Sequence, residues 1–353
     1  MQGHLKLANG EVFSGKWCGK PKNIIGELVF FTEMTRFQEV LTDPLLSGKI
    51  VVLTHPEIGI CGIDEESFEK STIYAAGVIV QRISTQSFHH EIKRTFTDFL
   101  AKHHVPLLTN VDTRAIVKKI RKLGEMAAIL SMEHETVQLE NNQNQAVEKL
   151  LTQKPVSFYN GKKQFVLINF GYHDALLAAF KQYDCQVAVV PHFTSFAEIQ
   201  SYLPDGIILS GGPGHPEAYA KFYPQLKKLA TTYPTIGFGL GHQIIALFFG
   251  AKLEKLACGH RSFQQPVLDT TTNKVYFTRQ NHQFFISEKS IENSDFHVTV
   301  RHVQDGTIEG LHHKHYPIST YQFHLDCYKA TNEWMLQPFL QQVKANKGEV
   351  VYA

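Results

Sequence analysis

The chain has 353 residues, 43% of them hydrophobic and 19% charged, enough for two ordinary globular domains at roughly 100–200 residues each. Its 35 basic residues against 33 acidic ones leave a net charge of +2, too small a bias to point to nucleic acid or an anionic membrane, and no apolar run reaches the roughly 18 residues of a membrane span. Met1-Gln2-Gly3-His4-Leu5-Lys6 has neither the basic nor the apolar region of a signal peptide, and the five cysteines fall at scattered spacing, so reduced thiols and a cytoplasmic protein are expected.

In chain order, the apolar runs Leu28–Phe31, Ile50–Leu53 and Ala76–Val80 read as strands. Thr95–His103 and Thr113–Leu123 read as helices, the second opening on Asp112 as N-cap and closing at Gly124. Between 139 and 164 the chain turns polar, which places a linker at 152–163 between a domain over 1–151 and another over 164–353. Beyond it the rhythm changes. Strands are expected at Phe165–Phe170, Gln186–Val190, Gly206–Ser210 and Thr235–Phe238. They alternate with helices running to Tyr183 and over Ser195–Tyr202, Tyr223–Thr232 and Leu240–Phe249. Fully apolar strands alternating with helices argue a parallel sheet covered on both faces. The shorter runs of 251–322, broken by turns, read as an antiparallel extension. The histidine clusters, among them His312-His313, read as solvated, and none has the spacing of a metal site.

One segment carries chemistry. In Thr235-Ile236-Gly237-Phe238-Gly239-Leu240-Gly241-His242-Gln243 a strand enters G-x-z-x-G and passes directly into a helix, the layout of a nucleophile elbow. Its middle residue sits at the apex, beside a helix N-terminus whose dipole favours a thiolate or an oxyanion. Such a site needs a nucleophilic atom there, and Gly239 has no side chain. On the glycines alone a plain strand–helix turn is the simpler reading. His242-Gln243, the second glycine loop at 211–214 and the downstream His324 make the constellation specific.

These motifs resemble those of class I, triad-type glutamine amidotransferases. Residues 235–251 resemble the nucleophile signature, Leu209-Ser210-Gly211-Gly212-Pro213-Gly214 the oxyanion strand, and Tyr321-Gln322-Phe323-His324 the catalytic-histidine strand. More narrowly, the whole chain resembles the carbamoyl phosphate synthetase small-subunit family, leaning to the bacterial arginine-specific type. Gly26-Glu27, Phe37-Gln38-Glu39-Val40-Leu41-Thr42-Asp43-Pro44, Val111-Asp112-Thr113-Arg114, Gly259-His260-Arg261 and Gln280-Asn281-His282 carry that likeness. The resemblance implies an α/β chain, with an N-terminal mixed β/α domain that contacts the large subunit and a C-terminal amidotransferase domain. It implies a cytoplasmic heterodimer in which the large subunit uses Mg-ATP, bicarbonate and ammonia for arginine or pyrimidine synthesis, with no cofactor or metal in this chain.

By the same resemblance Gly239 stands at the lost nucleophile, His324 at the proton shuttle and Asp326 at the carboxylate that orients it. Leu45, Gly211, Gly212, Leu240, Gln243, Asn281, Gln283 and Phe284 map to the glutamine and oxyanion site. Departures gather there. Leu45 replaces a serine, His173 a lysine, Gln283 a glycine, Arg36 another glycine, His215 an aspartate, and Leu325-Asp326 a Pro-Glu pair. The expectation is a retained fold with glutamine hydrolysis lost or severely impaired. The competing readings are a working glutaminase using Cys327 or Cys258, and a non-catalytic regulatory or binding protein.

Overall fold

The computed structural model describes residues 1–63, 72–84, 95–132, 151, 154–325 and 329–346. The chain divides into two compact units: 1–148 with 257–262, and 149–256 with 263–353. The short segment Ala257–Ser262 thus belongs to the first unit although it lies far beyond the expected linker. Within that linker Val156–Phe158 is a strand paired with Cys185–Pro191.

The first unit is a closed barrel of mixed direction. Its strands are β1 (Gln2–Leu7), β2 (Val12–Cys18), β3 (Ile24–Phe31), β4 (Lys49–Leu53), β6 (Gly77–Ile79), β8 (Leu107–Thr109) and β9 (Met126–Ser131), with a small pair β5 (Glu57–Ile58) and β7 (Arg82–Ile83) apart. The order β1-β2-β8-β6-β4-β3-β9 closes where β9 pairs back onto β1. Leu5, Leu28, Ile50, Val52, Ile79, Leu108 and Leu130 share one core, and Val29, Val51, Val78 and Leu107 are buried on the other face of their strands. Among the described residues three α-helices accompany the barrel: α1 (Phe37–Leu41), α2 (Phe96–Lys102) and α3 (Thr113–Leu123). The Asp112 side chain accepts the Ala115 N–H at 2.9 Å, capping α3 as expected, and Ile116 and Ile120 bury its apolar stripe.

Two polar features stand out in this unit. The Glu125 carboxylate takes two bonds from the Arg261 guanidinium, 2.8 and 2.6 Å, and both side chains are almost fully buried. Lys49 pairs with Glu27 nearby, and burial first, then the Arg261 charge, pushes its pKa down. The other feature is Arg36, which opens α1 at φ 61° in the left-handed region where the family pattern has glycine. The strain is offset by a bidentate bond to Glu39, 2.7 and 2.6 Å. Removing the bond but not the strain is the worst combination. Arg36→Ala is therefore expected to lose about 1 kcal/mol, and Arg36→Gly to be at least as stable as the parent. Urea denaturation of the three chains gives the order directly.

The second unit is built on one ten-stranded sheet, order β10-β12-β11-β13-β14-β19-β18-β16-β15-β17. Its strands are β10 (Val156–Phe158), β11 (Lys163–Asn169), β12 (Cys185–Pro191), β13 (Gly206–Leu209), β14 (Thr235–Phe238), β15 (Leu253–Asp269), β16 (Lys274–Ile286), β17 (Phe296–His302), β18 (Ile308–His313) and β19 (Ile318–Tyr321). The block β12-β11-β13-β14-β19 is parallel. Helix α4 is Asp174–Phe180, and Val166 and Ile168 of β11 pack into the cluster that holds α5 (Phe196–Ser201), α6 (Tyr223–Thr232) and α7 (Leu240–Phe248). Phe165 and Leu167 face the opposite cluster with α4 and the C-terminal helix Lys329–Asn346. Burial on both faces explains the unbroken apolar runs.

The region 251–322 departs from the expected antiparallel extension in two ways. β15 and β16 are long strands, and β19 returns to lie parallel to β14, with Ile318–Tyr321 wholly buried. His313 is not solvated. It is 2% exposed among Phe249, Phe296 and Tyr316, and burial pushes its pKa down.

Candidate active site

The carboxyl ends of β13, β14 and β19 meet where the elbow was expected. Gly239 has φ 51° and ψ −111°, a backbone state that L side chains rarely adopt. Three bonds hold the turn. Gly239 N–H donates to Tyr321 O (2.8 Å), Gly241 N–H to Ser210 O (3.0 Å) and Gln243 N–H to Gly239 O (3.2 Å). The apex is therefore tied to β19, to the glycine loop and to its own helix.

His324 lies against this apex. A β-carbon on Gly239 would fall 3.3 Å from His324 Cε1, 3.4 Å from Gly211 Cα and 3.7 Å from Gln322 O. The histidine is placed by its backbone, which donates to Arg279 O at 3.0 Å in an antiparallel bridge. Gly211 must be bare for the ring to fit, because a β-carbon there would come within 3.0 Å of the same Cε1. At Gly212 a β-carbon would overlap Phe170 O at 1.8 Å, so no other residue fits the loop as it stands. Ser210 fixes the crossing: its hydroxyl donates to Gly211 O (2.8 Å) and accepts the Phe170 N–H (2.9 Å).

Of the expected site residues, Gly211, Gly212, Gly239 and His324 come together directly. Leu240 is the first residue of α7 and is buried. Gln243 turns inward, donating to Phe284 O and to Gln322 Oε1, both at 3.0 Å. The Phe284 ring meets His215 edge-on at 4.7 Å, so one of the departures packs on a retained site residue. Asn281 and Gln283 lie buried on β16, and Gln283 Nε2 has no hydrogen-bond partner among the described residues. Leu45 belongs to the first unit, half-buried in the turn Pro44–Leu46, its N–H bonded to Asp43. His173 acts as N-cap of α4, Nδ1 accepting the Ala175 N–H at 3.2 Å. Asp326 and Cys327 lie outside the described residues.

Behind the elbow runs a polar network that the motifs did not reveal. His242 is fully buried with Nδ1 2.8 Å from Thr320 Oγ1, and desolvation lowers its pKa to about 3, so it stays neutral. The Gln280 amide donates to the buried Glu309 carboxylate at 3.1 Å and receives His282 Nε2 at 3.0 Å. Gln322 N–H donates to Glu309 O at 2.8 Å, tying this network to the histidine strand. The available signal was the run Thr278-Arg279-Gln280-Asn281-His282-Gln283, polar throughout and buried throughout.

Chemically, the arrangement presents a helix N-terminus, a glycine loop and an imidazole around one point, the geometry of acyl transfer from a carboxamide. Gly239, at the apex, brings no side chain to that point.

Residues 5–130 match the family described as carbamoyl-phosphate synthase small chain, CPSase domain, and residues 166–342 match glutamine amidotransferase class-I. The carbamoyl phosphate synthase arginine-specific small chain of Halalkalibacterium halodurans is 40% identical over 359 residues and covers 100% of both chains. Its namesake from Bacillus subtilis is 38% identical over 355 residues, again covering 100% of each. The carbamoyl phosphate synthase small chain of Caldanaerobacter subterraneus is 35% identical, over 92% of this chain and 91% of that protein. No described helix is long and apolar enough to cross a membrane. With a small-chain domain ahead of a class I amidotransferase domain, and full-length relatives on both, the chain belongs to the carbamoyl-phosphate synthase small chain family.

Proposed function

We propose that this chain is the glutaminase-type small subunit of a carbamoyl phosphate synthase whose own glutamine hydrolysis is lost or severely reduced. Gly239 carries the proposal: the apex of an otherwise retained elbow offers no atom to attack an amide. In a working site a thiolate adds to the side-chain carbonyl of glutamine, backbone N–H groups hold the oxyanion, and the histidine gives its proton to the departing ammonia. Here the glycine loop and His324 remain, and water is the available nucleophile. The oxyanion site and binding alone retain on the order of 10³–10⁴-fold acceleration over water in triad hydrolases, far below the full machinery.

In this reading the chain pairs with a large subunit that uses Mg-ATP, bicarbonate and ammonia, and the small chain serves as scaffold. The names of two relatives support an arginine pathway; pyrimidine synthesis is the alternative destination of the same product. A substitute thiol is disfavoured at Cys258, whose pKa is raised by burial and by Glu125, keeping it a thiol.

The test is to purify the complex with its large subunit and supply glutamine or ammonium as the nitrogen source. Ammonium is expected to drive carbamoyl phosphate formation and glutamine to fail or lag by orders of magnitude. Equal rates with both donors would sink the proposal.

A further inference from the structure

The helix α3, Thr113–Leu123, carries five cations and no acidic residue in eleven positions. One of them, Lys119, is tied to Glu11 at 2.7 Å. Arg114, Lys118, Arg121 and Lys122 are exposed and form no ion pair with any described residue. At 3.6 residues per turn these four positions fall within an arc of about 100°, opposite the stripe that buries Ile116 and Ile120.

Helix physics does not call for this stripe. Arg114 sits in the first turn, where the macrodipole disfavours a cation, and the first turn holds no acid. Its nearest sequence neighbour of opposite charge, Asp112, is occupied in capping Ala115 N–H. Arg114 with Lys118, and Lys118 with Lys122, are like charges four apart, which oppose the helix. Only Arg121 and Lys122, in the last turn, gain from the dipole. Arg121 also lies over the Phe30 ring at 5.7 Å. The chain as a whole is close to neutral, so the stripe is a local concentration rather than a general basic bias.

We infer that this stripe is a docking surface for an acidic face of the large synthase subunit. The inference rests on the proposed pairing with that subunit and names where on the small chain the charge is read. A protein partner is favoured over nucleic acid because no aromatic side chain interleaves the stripe for base stacking, and the near-neutral chain lacks a wider basic field. Charges at the rim of an interface act chiefly on the association rate and its salt dependence.

The experiment uses the full chain and its large subunit, with association rates followed by surface plasmon resonance at low and high salt. The variant is Arg114→Glu with Lys118→Glu and Lys122→Glu, and the glutamine versions at the same positions serve as the milder set. Association at low salt is expected to fall about tenfold or more for the glutamate set and less for the glutamine set, with the rates converging at high salt. The thermal midpoint should change little, because the acid gained early in the helix at residue 114 suits its dipole while the one at residue 122 in the last turn opposes it. Parent and variants that associate at the same rate overturn this inference and leave the pairing standing. A parent chain that does not bind the large subunit overturns both. Charge-dependent capture of RNA or anionic vesicles, with subunit association unchanged, assigns the stripe to another partner and also overturns it.

Discussion

Gly239→Cys alone is expected to restore only part of glutamine-dependent turnover. The geometry admits the change, because a β-carbon at residue 239 would meet His324 Cε1 at 3.3 Å and Gly211 Cα at 3.4 Å, close but movable contacts. The backbone state, φ 51° and ψ −111°, would then carry a side chain at a strain of about 1–3 kcal/mol, so the variant should also be less stable. In triad hydrolases the nucleophile accounts for roughly 10⁶ in turnover, so even a poorly aligned thiol is expected to give a large gain over the parent. Full activity should still be missing. Gln283 is buried on β16 with an unsatisfied amide nitrogen, and His173 is engaged in capping α4 where the family pattern has lysine. Adding Gln283→Gly to Gly239→Cys should therefore raise turnover further. Steady-state ammonia release and covalent labelling by a glutamine analogue measure both steps. A full glutamine-driven rate from the single substitution would show that the pocket tolerates its other changes.

Much of the parallel core was legible because burial on both faces leaves unbroken apolar runs such as Phe165-Val166-Leu167-Ile168, and in the barrel unit α3 was legible because it begins and ends on recognisable residues, Asp112 and Gly124. The elbow was legible for a different reason. Its flanking glycines answer to tight steric demands, since a β-carbon on Gly237 would meet Ile245 at 2.6 Å and one on Gly241 would meet Leu209 O at 2.4 Å, and so they mark the turn in the sequence. Barrel closure was not legible, since β9 pairing onto β1 joins segments more than a hundred residues apart and leaves no local mark. Nor was the site's polar backing. Gln280-Asn281-His282 stood out only as a motif, and its burial, with the Gln280 amide on Glu309 and His282 on Gln280, leaves no local mark in the sequence. The return of β19 to the parallel block was hidden likewise, because Ser319 and Thr320 interrupt its apolar pattern while lying fully inside.

The buried pair of the first unit allows an equally direct expectation for stability. Glu125→Gln is expected to destabilise that unit by about 3–5 kcal/mol, the loss typical when one partner of a buried ion pair is removed. The Arg261 side chain is 4% exposed, and its charge cannot escape to solvent without moving the segment 257–262 that carries it. The glutamine would keep the shape of the carboxylate but present one donor face to a guanidinium that has only donors. It would also lose either Oε1, which accepts Gly259 N–H at 3.1 Å together with Arg261 Nε, or Oε2, which accepts the other arm of Arg261. Lys49 makes matters worse. It is half-buried beside Glu27, and Arg261 already pushes its pKa down, so an Arg261 stripped of its carboxylate repels Lys49 more strongly. Replacing both partners, Glu125→Leu with Arg261→Met, removes the stranded charge and should recover most of the loss, since buried ion pairs and apolar isosteres are often nearly equal in stability. Urea denaturation can follow the two units apart: Trp17 reports the barrel and Trp334 the second unit, so Trp334→Phe isolates the first signal. A midpoint unchanged by Glu125→Gln, or a double replacement as unstable as the single one, would show that this pair is not what holds residues 257–262 to the barrel.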